Sequence, residues 1–547
     1  MTRTTSRPLA GTGRLVRLAL RRDRIILPVW IASIAAIAWM VIGSYEATVG
    51  GEAERMSTAA FAAGNPMARM FDGPAAGYDL GAMVMVESYQ VLAILAALMT
   101  AQAVVRHTRQ DEETGRAELL GSAVVGRHAR LTAALVVALG ANVALGATIT
   151  AVLAGTGYTG AGALISGVSV AGLGWVFAGL AGIGAQVFST ARGANAAVGV
   201  GLGVAFLVRA VGDLLGDVAA NGVAVVSAWP SWLSPLGWGQ QMRPYYEDNW
   251  WITGLFLALT AVLVAVAVAL AARRDVGPGM VPARTGPRCA APTLLHSLGL
   301  AWRLQRGIFV TWLVGLVTMG AALGPMGESA EELISENAQM YELLERLSPG
   351  AGVVDLYFAF SMAIFGIAAA GYTVQALLRM RAEEVSGRLE PVLATATGRR
   401  RWLAGHVLIA AAGTAVILAL TGVASGLTYG AAAGDWSVMG DPLTGALVQL
   451  PATFALGAFV LALFGLLPRL SGPLAWASLA LALVVGQLGS LLDLPQWVLD
   501  VSPFTHVPLV PADPFEATPV LWLTAVALAL GAVGFAAFRR RDLAIGA

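Results

Sequence analysis

The chain has 547 residues, 57% hydrophobic and only 12% charged, with a net charge of +1. Soluble domains carry about 25% charged residues, so this composition excludes an ordinary soluble globule and specifies a polytopic membrane protein. A net charge so near zero offers no basic field for nucleic acid.

The chain opens on a basic lead-in, Arg14–Arg24. Leu15, Leu18 and Ala19 share one helical face there and Arg17, Arg21 and Arg24 another, the pattern of a helix lying among lipid headgroups. The apolar run 25–43 follows. A long basic stretch before it and another span after it make this run a retained anchor rather than a cleaved signal. Five more runs long enough to cross a bilayer as helices come at 83–105, 131–153, 163–187, 195–215 and 251–271. Residues 273–295 form a Gly/Pro-rich linker. It holds the single cysteine, Cys289, which leaves no intrachain disulfide and lacks the partners a metal or redox site needs.

A second lead-in, His296–Arg306, introduces runs at 308–323, 356–378, 403–427, 443–467, 473–492 and 520–538. Between the first two of these, Glu328–Arg346 is acidic with the apolar spacing of an amphipathic outer helix. The expected fold is an all-α polytopic membrane protein with about 12 transmembrane helices in two parallel six-helix repeats. The halves are 1–272 and 296–547, joined by the cytoplasmic linker 273–295. With the N-terminus inside, 29 of the 34 arginines fall in inner segments. Only Arg55, Arg69, Arg243 and Arg346 fall outside, and Arg209 sits in a span. The positive-inside rule then puts both termini in the cytoplasm of a cell-membrane protein.

The halves repeat each other in phrases. "RRDRIILPVW" echoes "RLQRGIFVTW", and "WPSWLSPLGW" at 229–238 echoes "LPQWVLDVSPFTH" at 494–506. The fullest repeat is the charged loop after the second span of each half. It aligns Glu112-Glu113 with Glu383-Glu384, Gly115-Arg116 with Gly387-Arg388, Glu118 with Glu390, and Gly126-Arg127 with Gly398-Arg399. Gly115 and Gly387 break the incoming helix, a short apolar segment follows, and Gly126 and Gly398 turn the chain back to the membrane. A knob charged at both ends results. Its duplication suits docking to a cytoplasmic partner that is itself two-fold.

This "EExxGRxE…GR" loop in a six-span unit resembles the coupling loop of type-2 ABC exporter permeases. Two fused units, with "RAVGD" at 209–213 and "SWLSPLGWGQQMRPY" at 231–245, resemble the actinobacterial multidrug or polyketide-antibiotic exporter permeases. The resemblance implies a short loop helix seated in a groove of a separate ABC ATPase subunit, two copies per chain. It implies ATP bound by that partner, no cofactor on this chain, and export rather than an enzyme reaction. The composition agrees on one point. All 34 basic residues are arginine, and without lysine there is no Walker A loop and no Schiff base.

Ionisable groups inside spans are costly and mark function. Glu87 lies near the outer end of the second span. Arg209 and Asp213, four apart, share a face of the fifth and can pair. His406, at the inner end of the ninth, reads as interfacial. With Trp232, Pro235, Trp238 and Pro503 of the outer Trp/Pro phrases, Glu87, Arg209 and Asp213 are the candidate path or gate residues. These groups make no proton relay, which weakens the alternative of a proton-coupled secondary multidrug carrier; a non-transporting scaffold or resistance factor is the other. The five histidines show no metal spacing. The scarcity of fixed charge points to a hydrophobic or amphiphilic cargo. The run Gly199–Phe206 reads as a close helix-packing surface.

Overall fold

A computed structural model describes residues 8–275, 277, 279–281, 286, 288–328, 352–488 and 495–543. The described part of the chain is almost entirely helical. Eleven helices in it are long and apolar enough to cross a membrane. A shorter apolar helix, Ser471–Gly486, occupies the eleventh expected run up to the edge of the described residues. The fold is thus all-α and polytopic. The amphipathic segment expected at Glu328–Arg346 lies, beyond Glu328, outside the described residues.

Contacts divide the chain into two compact units, Met1–Gly286 and Pro287–Ala547. In the first, the spans are Ile26–Thr48, Leu80–Val105, Ala129–Gly155, Ala161–Val187, Ala191–Leu214 and Ile252–Ala272. Ala161–Val187 is central, packed on the second, third, fifth and sixth spans. Small residues let helices approach closely where lipid offers no hydrophobic driving force. At one crossing, a Cβ on Gly167 would collide with the carbonyl of Gly146 on the neighbouring helix. Glycines of Ala161–Val187 are therefore packing glycines. The run expected to pack, Gly199–Phe206, does so in part: Gly201 lies against Leu180 and Leu202 and Ala205 are buried, while Gly199, Val200 and Gly203 turn outward from the first unit.

In the second unit the spans are Ser297–Leu323, Val353–Val385, Arg399–Ala433, the pair Asp441–Val448 and Leu450–Leu466, Ser471–Leu488 and Ala517–Arg540. Pro451 explains the interruption of the fourth, because it removes a helical donor and crowds the preceding turn. The lead-ins differ. Thr12–Arg22 is a separate helix, broken from the first span at Asp23. The second lead-in continues unbroken into Ser297–Leu323, so the elbow expected in both halves exists only in the first. Pro28 forces the first-half break; Val310 stands in its place in the second-half echo and lets the helix run on.

On the side away from the charged loops, the first unit carries helices Glu52–Gly64 and Pro66–Phe71. With them stands a two-stranded hairpin, Asp217–Val218 against Val225–Val226. Nothing in the sequence reading anticipated that hairpin.

Candidate functional site

Each repeated loop is built on a helix that overruns its span. In the first half, Leu80–Val105 continues through a π-helical turn, Arg106–Gln110, into Asp111–Glu113. It ends where Gly115 adopts φ +72°. In the second, Val353–Val385 runs directly to Gly387 at φ +70°. Only glycine takes that left-handed conformation without strain. Short helices, Arg116–Gly121 and Leu389–Leu393, stand beyond the breaks.

The contacts correct the register of the repeat. Asp111 lies 3.9 Å from Arg116, and Glu383 lies 3.8 Å from Arg388. Glu112 pairs with Arg109, three residues earlier, at 2.8 Å; Glu384 pairs with Arg381, also three earlier, at 3.3 Å. The equivalent acids are Asp111-Glu112 and Glu383-Glu384, in gapless register with Gly115 and Gly387. The alignment of Glu112-Glu113 with Glu383-Glu384 is one residue out. Glu113 corresponds to Val385; its carboxylate accepts from the backbone N–H of Ala191 (2.9 Å) and so caps the fifth span.

The charged knob is only partly solvated. Glu112, Glu383 and Glu384 are turned inward, with side chains at most 9% exposed. Glu112 accepts two hydrogen bonds from Arg274 (2.7 and 2.9 Å), just beyond the sixth span of its half. Glu384 accepts two from Arg541 (2.5 and 2.8 Å), just beyond the last span of the other. Such forked guanidinium–carboxylate contacts are the strong, directional kind. Arg541 also stacks over Phe464 and Phe538, at 4.9 and 5.1 Å. Glu383 is held by Arg379 at 2.7 Å. Each loop base is thus clamped to the end of its own half's final helix. What faces solvent is the tip: Arg116, Glu118, Leu119, Val124 and Arg127 in one half, Arg388 and Glu390 in the other. Leu119 and Val124 are 76% and 88% exposed. Arg399 is half-buried, donating to the Arg541 carbonyl at 2.6 Å.

The first loop has a further brace. Arg22 bridges to Asp111 at 2.9 Å, and Asp23 binds Arg106 (2.6 Å) and His107 Nε2 (2.7 Å). Burial alone would raise the Asp23 pKa. The hydrogen bond with His107 and the charges of His107 and Arg106 outweigh burial and hold the carboxyl below its ordinary value. The chain before the elbow adds backbone bonds, Gly126 N–H to Ala10 O and His128 N–H to Pro8 O. In the second half, Gln305 replaces Asp23 in the echo and donates to His406 Nδ1 at 3.0 Å. His406 is buried against Trp402 rather than interfacial.

At the opposite end of the first half, the expected Arg209–Asp213 pair forms, both residues fully buried, at 3.2 Å. Arg209 also donates to the carbonyl of Met70 (2.6 Å), and Arg69 donates to those of Ala63 and Gly216, so the two arginines pin the helices Glu52–Gly64 and Pro66–Phe71. Asp213 accepts from Ser231 (2.5 Å), which joins the pair to the Trp/Pro phrase. Pro235 opens a short helix capped by Ser234, and Trp238 donates to the Trp232 carbonyl at 2.6 Å. Trp232 stacks on Trp251. Pro503 opens the corresponding turn, capped by Ser502. Glu87 is exposed and accepts from Tyr45 at 3.2 Å. Burial and then the Glu87 charge push Asp72 up to about 7, against the pull of Arg209.

Over 537 residues, 97% of this chain and 95% of the relative, the sequence is 40% identical to the Multidrug efflux system permease protein Rv1217c of Mycobacterium tuberculosis (strain ATCC 25618 / H37Rv). The chain belongs to that permease family. The family model "Multidrug efflux system permease Rv1217c, C-terminal domain" matches residues 294–539, nearly all of the second unit. In this Rv1217c-family permease, sequence reasoning missed Asp111, Arg274, Arg541, Arg69, Ser231 and Ser234. Arg274 and Arg541 stand at equivalent places after the last span of each half, and that recurrence was the available signal. The serines precede the tryptophan and proline of a phrase already singled out.

Proposed function

We propose that this permease is the membrane-spanning subunit of an ATP-driven exporter of hydrophobic or amphiphilic drugs. Separate ATPase subunits, two per chain, dock on the loops 106–130 and 379–402. Both termini and both loops face the cytoplasm in this reading, on the strength of the arginine distribution.

The observation that carries the proposal is the build of the loops. Each presents an exposed short helix on a base that ion pairs fasten to the half's last span. A push on the tip is then delivered to the transmembrane body instead of being absorbed by a soft loop. Rigid-body switching needs such a stiff handle. The Arg209–Asp213 pair supports the choice over a proton-coupled carrier. Its members bond each other, Met70 and Ser231, and so are poorly suited to exchanging a proton in each cycle. The cargo class is supported by the relative's name and by an apolar cleft of about 400 Å³ among spans of the second half, between Leu377, Val407, Phe454 and Phe535.

The test is mild purification from the native membrane, with mass spectrometry of co-purifying subunits and an ATPase assay. A P-loop ATPase at two per chain, with ATP-dependent drug transport in proteoliposomes, is the expected result. A chain that emerges alone and moves drug under a proton gradient refutes the proposal.

A further inference from the structure

We infer that the first half holds a binding site for a phosphate-bearing anion, in a cavity of about 220 Å³ beside the Glu112 clamp. The inference does not depend on ATPase coupling. It uses only the cavity and its contrast with the second half.

Three arginines line the cavity, Arg127, Arg130 and Arg274, against two carboxylates, Glu112 and Asp275. Of the two carboxylates, Glu112 is already committed. Glu112 is engaged by Arg109 at 2.8 Å and by Arg274 at 2.7 Å, leaving Arg130 at 3.9 Å. Asp275 is exposed. Among the described residues, Arg127 has neither an ion-pair nor a hydrogen-bond partner. The long helix Ala129–Gly155 also begins here, with no side-chain cap on its first turn. Its N-terminal N–H groups add partial positive charge at the same place.

The second half shows what the position looks like when no ligand is needed. In the gapless register, Arg127 corresponds to Arg399 and Arg130 to Trp402. The Arg399 guanidinium donates to backbone carbonyls of Phe538, Arg539 and Arg541. Trp402 is buried, with its ring against Phe538 and His406. An aromatic plug and carbonyl acceptors thus fill in one half what an arginine pair leaves open in the other.

Guanidinium forks match the oxygens of a phosphate. The remaining wall is Thr108 and Gln186 together with the apolar Leu131 and Ala271 at the ends of two spans. That combination suits the headgroup of an anionic phospholipid, whose phosphate meets the arginines while its glycerol lies along the helices. A soluble organic phosphate shares the recognised group.

The test uses the full chain with phosphatidylglycerol as the lipid probe and glycerol phosphate as the soluble one. Native mass spectrometry counts retained lipid, and a labelled phosphatidylglycerol titration gives affinity. Arg127→Gln, at an exposed site, is expected to weaken phosphatidylglycerol binding about tenfold. Arg130→Trp, which copies the second half, is expected to remove one retained lipid. Arg469→Gln, an exposed arginine elsewhere, is expected to change neither. Displacement of the lipid by millimolar glycerol phosphate keeps the site and assigns it to a soluble ligand. If Arg127→Gln binds both probes as the unmodified chain does, the inference fails, whether or not Arg130→Trp folds.

Discussion

The two loops carry the same motif on different foundations. In the second half the base rests on one buried cluster: Glu384, Arg381 and Arg541, with Arg541 packed over Phe464 and Phe538. In the first half the load is spread. Glu112 has Arg109, Arg274 and, farther off, Arg130. Arg109 also donates to the carbonyls of Ala185 and Gly277, and Asp111 ties in the elbow through Arg22. One motif can therefore be stiffened by a single desolvated pair or by a dispersed network. The two solutions should fail differently.

The sharpest way to break that comparison is to neutralise the second acid on each side. Glu384→Gln leaves the Arg541 guanidinium without its carboxylate in a buried site, a loss of about 3–5 kcal/mol by the usual cost of orphaning a buried ion-pair partner. Glu112→Gln should cost less, about half as much, because Arg109 and Arg274 keep carbonyl and Gln186 acceptors. Melting of the detergent-solubilised chain ranks the two. Equal losses would mean that the foundations are not different.

The elbow brace sharpens the contrast next. Asp23→Asn should lower the melting temperature by a smaller amount, and Gln305→Ala in the second half should not affect the loop at all. The acid dependence has a definite sign. The Asp23 pKa is depressed below the ordinary carboxylate value of 3.8 on folding. The stability it contributes is present above 3.8 and is lost as pH falls through the folded value. The gap between the unmodified chain and Asp23→Asn should therefore close in strong acid, as the carboxyl itself protonates. A gap that persists unchanged into strong acid would assign the brace to another group.

Much of this was open to reading from the residues. Apolar runs gave twelve helical segments because a span needs about 20 residues that bury themselves in lipid. The glycine pairs marked the loop breaks. The inward turn of Glu112 and Glu384 was not legible. Their partners, Arg274 and Arg541, lie 162 and 157 residues away in sequence, and local pattern says nothing of such pairs. A doublet of glutamates before Gly-Arg reads as a solvated face until a buried guanidinium is seen opposite it. The register slip had a similar origin: matching glutamate to glutamate hid the fact that Asp111 plays the part of Glu383. The elbow's absence from the second half was legible in principle, through Pro28 against Val310.

The smallest stability effects belong to the tips. Glu118→Arg and Glu390→Arg change exposed residues and should each shift stability by less than about 0.5 kcal/mol. Leu119→Asp, which removes an apolar group 76% exposed, should do the same. Their effect on partner binding should be the reverse, large where the clamp variants act only through misfolding.

The division between clamped base and docking tip is therefore tested most directly by one measurement. It is the number of ATPase subunits retained per chain by the Glu118→Arg/Glu390→Arg double variant, beside its melting temperature. The account predicts an unchanged melting temperature with both subunits lost. Two subunits retained by a normally folded double variant would contradict it.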